Sequence, residues 1–99
     1  MSRDSARRYL IAYDIADDRR RTHVAQRLSS YGDRIQFSVF VVDTRPAKLV
    51  RLRAVLERMI DPQTDSVLIC DLGLLAATDA RFDVIGRSRP LTDADSLII

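Results

Sequence analysis

Two short segments, Tyr9–Ile15 (YLIAYDI) and Ser66–Leu72 (SVLICDL), are apolar on successive residues rather than on alternate ones. That pattern belongs to a strand covered on both faces. In the first, Tyr9, Ile11, Tyr13 and Ile15 fall on one side, and Leu10 and Ala12 on the other. The second is two-sided as well, apart from Asp71. Two helices are readable between them. Asp17 or Asp18 caps one that runs to about Tyr31, where Gly32 supplies the stop; its apolar stripe is Val24, Ala25, Leu28 and Tyr31. Thr44 and Pro46 open another that runs to about Ile60 and ends at Asp61-Pro62, with Leu49, Leu52, Leu56, Met59 and Ile60 on its core face. Two helices cover one face of a sheet. A second copy of the chain is the expected cover for the other face, so the pattern predicts a homodimer. A C-terminal tail folded back over that face is the other way of closing it.

The middle segment Arg34–Val42 (RIQFSVFVV) alternates Ile35, Phe37, Val39 and Val41 with Gln36, Ser38, Phe40 and Val42. It reads either as one long strand or as two short ones bent near Ser38. With two strands the order becomes βαββαβ, the ferredoxin-like plan, and the fold class is α+β in a single domain over residues 1–99. Gly73 ends the last core strand. Residues 74–99 form a C-terminal extension expected to contact the partner protomer. Within it Leu74–Arg81 is irregular or a short turn, and Phe82–Gly86 and Ser96–Ile99 look like short extra strands. The terminal Leu97-Ile98-Ile99 suits the edge of a sheet, its own or the partner's.

At 99 residues, 46% of them hydrophobic and 30% charged, the chain has a globular balance and room for one thin core. No apolar run approaches the roughly 20 residues that cross a bilayer. Met1–Arg8 is polar and basic without an apolar stretch, and the single Cys70 excludes an internal disulfide. The expected setting is the cytoplasm, with no membrane partner. Lys48 is the only Lys among the 16 basic residues. Arg offers a planar fork that pairs with phosphate oxygens two at a time.

Asp14 ends an apolar strand directly before a turn and a helix start, the position active residues favour in open α/β sheets. By alternation it shares a face with Leu10 and Ala12. A carboxylate there must be solvated, paired or bound to a cation. Asp17 and Asp18 read as N-terminal helix acids. At about 100° per residue, Arg20, His23 and Arg27 share one face of the first helix, a row suited to tracking a phosphate backbone. Arg21 instead projects on the side of Val24 and Leu28 and is expected to reach toward the sheet end near Asp14. Arg34 follows just after the helix. A lone His23 and a lone Cys70 leave no zinc set, and neither a nucleophile elbow nor a Gly-rich phosphate loop is present. Oxygen ligands for a hard cation remain. One chain offers one well-placed carboxylate, and a two-fold dimer brings two copies of Asp14 together, enough for a water-rich Mg²⁺ site.

The blocks YLIAYDIADDRRR and YGDRIQFSVF, followed by the second amphipathic helix and DSVLICDLG, closely resemble the small CRISPR-associated proteins of the Cas2 family, the companions of the CRISPR spacer integrase. The resemblance implies a homodimer with facing sheets, strand-end aspartates across the dimer axis, and a C-terminal strand that crosses to the partner. It implies Mg²⁺-dependent endonuclease activity on single-stranded RNA or double-stranded DNA, with Mn²⁺ as a substitute ion. The alternative it implies is a non-catalytic role, in which the dimer bridges integrase subunits and holds spacer DNA. A toxin-like ribonuclease of the same fold is a third reading. Carried over by position, Asp14 matches the metal-binding and catalytic aspartate, Arg21 and Arg34 match substrate-handling basic positions, and Phe40 matches the phenylalanine of the SVF block. His23 stands where Arg or Lys is frequent, and Val41 where an acidic residue often follows that block.

Overall fold

Aromatic and branched residues at alternate positions of Arg7–Asp14 build β1, one of the two inner strands in the computed structural model, which describes residues 5–77 and 83–87. The elements that follow are α1 (Asp18–Ser29), β2 (Asp33–Gln36), β3 (Val39–Thr44), α2 (Pro46–Met59) and β4 (Ser66–Leu74), with a 3-10 turn at Leu75–Ala77. The strands form one antiparallel sheet in the order β2-β3-β1-β4. This is the expected ferredoxin-like α+β arrangement, with the middle segment resolved into two strands around a turn at Phe37 and Ser38.

One face of the sheet carries the core. Tyr9, Ile11 and Tyr13 from β1 and Phe40 and Val42 from β3 pack with Val24 and Leu28 of α1 and Leu52 and Leu56 of α2. In the register, Tyr9 pairs with Val42 and Ile11 with Phe40, so these side chains project to the same side. Burial of such residues at about 25 cal/mol per Å² of apolar surface is the main force holding the helices to the sheet. The other face bears Leu10, Ala12 and Val39, all half-buried, the buried Val41, and Leu68 and Cys70, both exposed. Leu68 is 61% exposed. Neither helix packs on this side.

The caps explain where the helices begin. Asp17 takes the N-cap of α1 and accepts from the Arg20 N–H at 2.8 Å. Pro46 opens α2 at its first turn, and the cap position is Arg45, which makes no side-chain capping bond.

Three local expectations change. Gly32 does not stop α1 by a left-handed turn; α1 ends at Ser29, capped by Ser30. Its lack of a side chain is needed for close approach instead, because a Cβ there would lie 2.1 Å from the Val41 carbonyl oxygen. Gly73 does not end β4, which continues to Leu74. It sits at φ +107° beside a β-bulge, where β1 pairs Arg8 with Gly73 but Tyr9 with Asp71. Leu72 is the extra residue, and the left-handed backbone of the glycine lets the strand absorb it. Residues 83–87 are exposed and carry no strand, so the expected strand at Phe82–Gly86 is absent over its described part; Ile85 is fully exposed. Ser96–Ile99, including the terminal Leu97-Ile98-Ile99, lies outside the described residues.

Candidate nucleic-acid site at the end of the inner strand β1

The sheet end after β1 is assembled from three turns. The first, residues 15–17, links β1 to α1; the second holds Phe37 and Ser38; the third, residues 61–65, links α2 to β4. Asp14 stands where they meet. It is exposed, on the face opposite the helices, and directly across from Ser66 in the β1–β4 register. Its carboxylate has no hydrogen-bond or ion-pair partner among the described residues. A strand-end carboxylate left in this condition is available to a cation or a substrate.

The turn after Asp14 is held on both sides. The Ile15 carbonyl accepts from Arg21 Nη1 at 2.8 Å, and the Ala16 N–H donates to Asp65 Oδ1 at 3.2 Å. Arg21 therefore reaches the sheet end as its place on the helix stripe implies, and it also pairs with Asp18.

Asp65 is the residue that the sequence did not single out. Its side chain is fully buried. It takes Arg20 Nε at 2.6 Å and Nη2 at 3.2 Å, the Asp61 N–H at 2.9 Å and the Thr64 hydroxyl at 3.0 Å, besides the Ala16 N–H. The Arg20 guanidinium, with the backbone and hydroxyl donors around it, holds this carboxyl well below the usual carboxylate range against the opposing effect of burial. Arg20 is thus committed to a structural ion pair, while His23 and Arg27, its expected companions in a phosphate-tracking row, are exposed on α1 and line a shallow groove with Gln26, Ser30 and Met59. The segment DPQTD ahead of an apolar strand signals a turn, though not the ion pair that Asp65 makes. It is an Asx turn, with Asp61 Oδ1 accepting from the Gln63 N–H at 2.9 Å.

Arg34 and Phe40 define the other flank. Phe40 is buried and stacks on Tyr13, with ring centroids 6.3 Å apart. The Arg34 guanidinium lies 5.4 Å from the Phe40 centroid and 5.4 Å from that of Phe37. It donates to the Phe37 carbonyl at 3.0 Å and to the Tyr13 hydroxyl at 3.4 Å. The structure thus gathers Asp14, Arg21, Arg34 and Phe40 around one end of the sheet, and it leaves His23 and Arg27 on the outer surface of α1.

The donor set for a metal is sparse within one chain. Among the described residues no three His, Cys, Asp or Glu side chains come together. Asp14 and the facing Ser66 supply oxygen ligands alone, which suits a hard, water-rich cation and no other common metal. Nor is any helix among the described residues long and apolar enough to cross a membrane.

The family model described as CRISPR associated protein Cas2 matches residues 7–74, from the start of β1 to the end of β4. A CRISPR-associated endoribonuclease Cas2 of Rhodospirillum rubrum is 33% identical over 91 residues, 92% of this chain and 89% of that protein. A CRISPR-associated endonuclease Cas2 of Thermus thermophilus is 45% identical over 65 residues, 64% of this chain and 70% of its own length. The crystal structure of Streptococcus pyogenes Cas2 superposes with a TM-score of 0.71 at 32% identity, covering 80% of this chain and 99% of that one. The matched span holds every strand and both α-helices of the described residues and each residue of the site, and the chain belongs to the CRISPR-associated Cas2 family.

Proposed function

We propose that this protein is a metal-dependent endonuclease that works as a homodimer, hydrolysing phosphodiester bonds of RNA or DNA between two copies of Asp14. The observation that carries this reading is the unpartnered, exposed carboxylate of Asp14 on the helix-free face of the sheet. Relatives named endoribonuclease and endonuclease support the reaction class. Pairing two sheets through Leu10, Ala12 and Leu68 would cover apolar surface and bring the two aspartates toward a shared axis.

Asp14 from each copy would hold Mg²⁺, or Mn²⁺ in its place, with Ser66 as a neighbouring hydroxyl. When bound, such an ion polarises a phosphate oxygen and supplies an acidified water. The chain's own part is positioning and charge. Arg21 and Asp65 fix the backbone that follows Asp14, and Arg34 would offer a cation to the phosphates of the bound strand. In the Asp14→Asn variant, Mg²⁺-dependent cleavage should fall on the order of a hundredfold or more, with the dimer retained by sedimentation. Cleavage at the wild-type rate would contradict the proposal.

A second reading, a DNA-bridging subunit docked to the CRISPR integrase, is favoured by one observation: among the described residues no three ligating side chains come together beside Asp14. It calls for Arg27→Glu to lose duplex binding and spacer acquisition, and for Asp14→Asn to keep both. Arg20 is unsuitable for that test because its replacement also strands Asp65.

A further inference from the structure

The β2–β3 turn presents a ring to solvent that neither the core nor the cleavage chemistry uses. Phe37 is 67% exposed, yet it is held in place. Its carbonyl accepts from Arg34 Nε at 3.0 Å and from the Tyr13 hydroxyl at 3.4 Å. Arg34 is wedged between this exposed ring and the buried ring of Phe40, 5.4 Å from each centroid. Both oxygens that Arg34 meets are neutral, so among the described residues no carboxylate cancels its charge by direct pairing. A groove runs between the turn and α1, lined by Arg21, Gln26, Ser29, Arg34 and Phe37. Backbone pairing of the Tyr13 N–H with the Ser38 carbonyl at 3.1 Å ties the turn to the last residues of β1, next to Asp14.

We propose that Phe37 is the floor of a nucleotide subsite: an unpaired base stacks on its outer face while the adjoining phosphate lies against Arg34. An aromatic platform beside an uncancelled cation is what single-stranded nucleic acid requires, and it is tolerant of sequence because every base has a π face. Phe has only two side-chain torsions, so ordering it on binding costs little. Bases in a duplex already stack on their neighbours and must unpair before they can offer a face. The subsite therefore selects unpaired strands and leads them past Asp14. It rests on the nucleic-acid-binding part of the reading above and needs neither metal nor cleavage.

The chain contains no Trp, so F37W introduces a single, selectively excitable tryptophan at the proposed contact. In EDTA, a short single-stranded RNA and the same sequence as DNA should both quench its emission at saturation, and the blunt duplex should not. Phe37→Ala should weaken single-strand affinity about five- to a hundredfold and leave duplex affinity unchanged, with Phe37→Tyr retaining the wild-type value. An unchanged thermal melt of the alanine variant is expected, because the ring is exposed. Wild-type single-strand affinity in Phe37→Ala, or unquenched F37W at saturation, overturns the subsite and leaves the Asp14 chemistry standing. If wild-type protein binds no single strand at all, the subsite is likewise overturned. Quenching together with full cleavage by Asp14→Asn would sink the cleavage reading alone.

Discussion

A carboxylate with no exposed surface, Asp65, receives the guanidinium of Arg20, two backbone N–H groups and a hydroxyl, and so joins the turn after Asp14 to the loop before β4. Its pKa lies below the value of an unfolded-chain aspartate, so the folded state binds fewer protons here than the unfolded one. The stability it contributes is fully present above about pH 4 and is lost as pH falls through the lower folded value. Asp65→Asn should have a lower melting temperature at neutral pH and a flatter dependence of melting temperature on acidity. Thermal melts across the acid range check both, and parallel acid profiles for wild type and variant would contradict the assignment. Asp14 and Arg21 were legible from position alone, since a strand end and a helix stripe are local patterns. Asp65 was not, because its partner Arg20 is 45 residues away in sequence and only the tertiary fold brings them together. Phe37 was hidden for a different reason. The alternation of Arg34–Val42 counts it among strand positions, whereas it occupies the turn.

Backbones come close together where β3 passes the residues that follow α1. The Gly32 backbone approaches Val41 and Val42 so closely that a methyl group would collide with main-chain atoms. Gly32→Ala should destabilise by about 1–3 kcal/mol, seen as a lower urea midpoint with an unchanged m value; an unaltered midpoint would show that the strand can yield. The bulge at Gly73 makes a separate demand, on conformation. At φ +107° a Cβ is strained, and Gly73→Ala should cost about 1–2 kcal/mol in the same assay. Strand and helix types were readable because periodicity and capping are properties of neighbouring residues: Asp17 caps α1 and Pro46 opens α2 as their positions imply. The two glycines were readable as breaks, but their actual uses are set by the partner strand, which a local pattern does not contain.

On the scale of the whole molecule, the two-sided apolar strands have one face on the helices and one without. Leu68 lies on the helix-free face, across from Ala12. A charge there should oppose any sheet-to-sheet pairing, so Leu68→Glu is expected to sediment as a monomer under conditions where wild type is a dimer, with its circular dichroism spectrum unchanged. A variant that remains dimeric would move the interface elsewhere. In the proposed reading the same pairing decides the chemistry, because among the described residues Asp14 is the carboxylate at the site without a partner. The most direct measurement is to mix wild-type and Asp14→Asn subunits, allow them to exchange, and follow Mg²⁺-dependent cleavage as the wild-type fraction falls. If both copies of Asp14 are required, activity should track the square of that fraction. A linear fall, or none, would contradict a site shared between two chains.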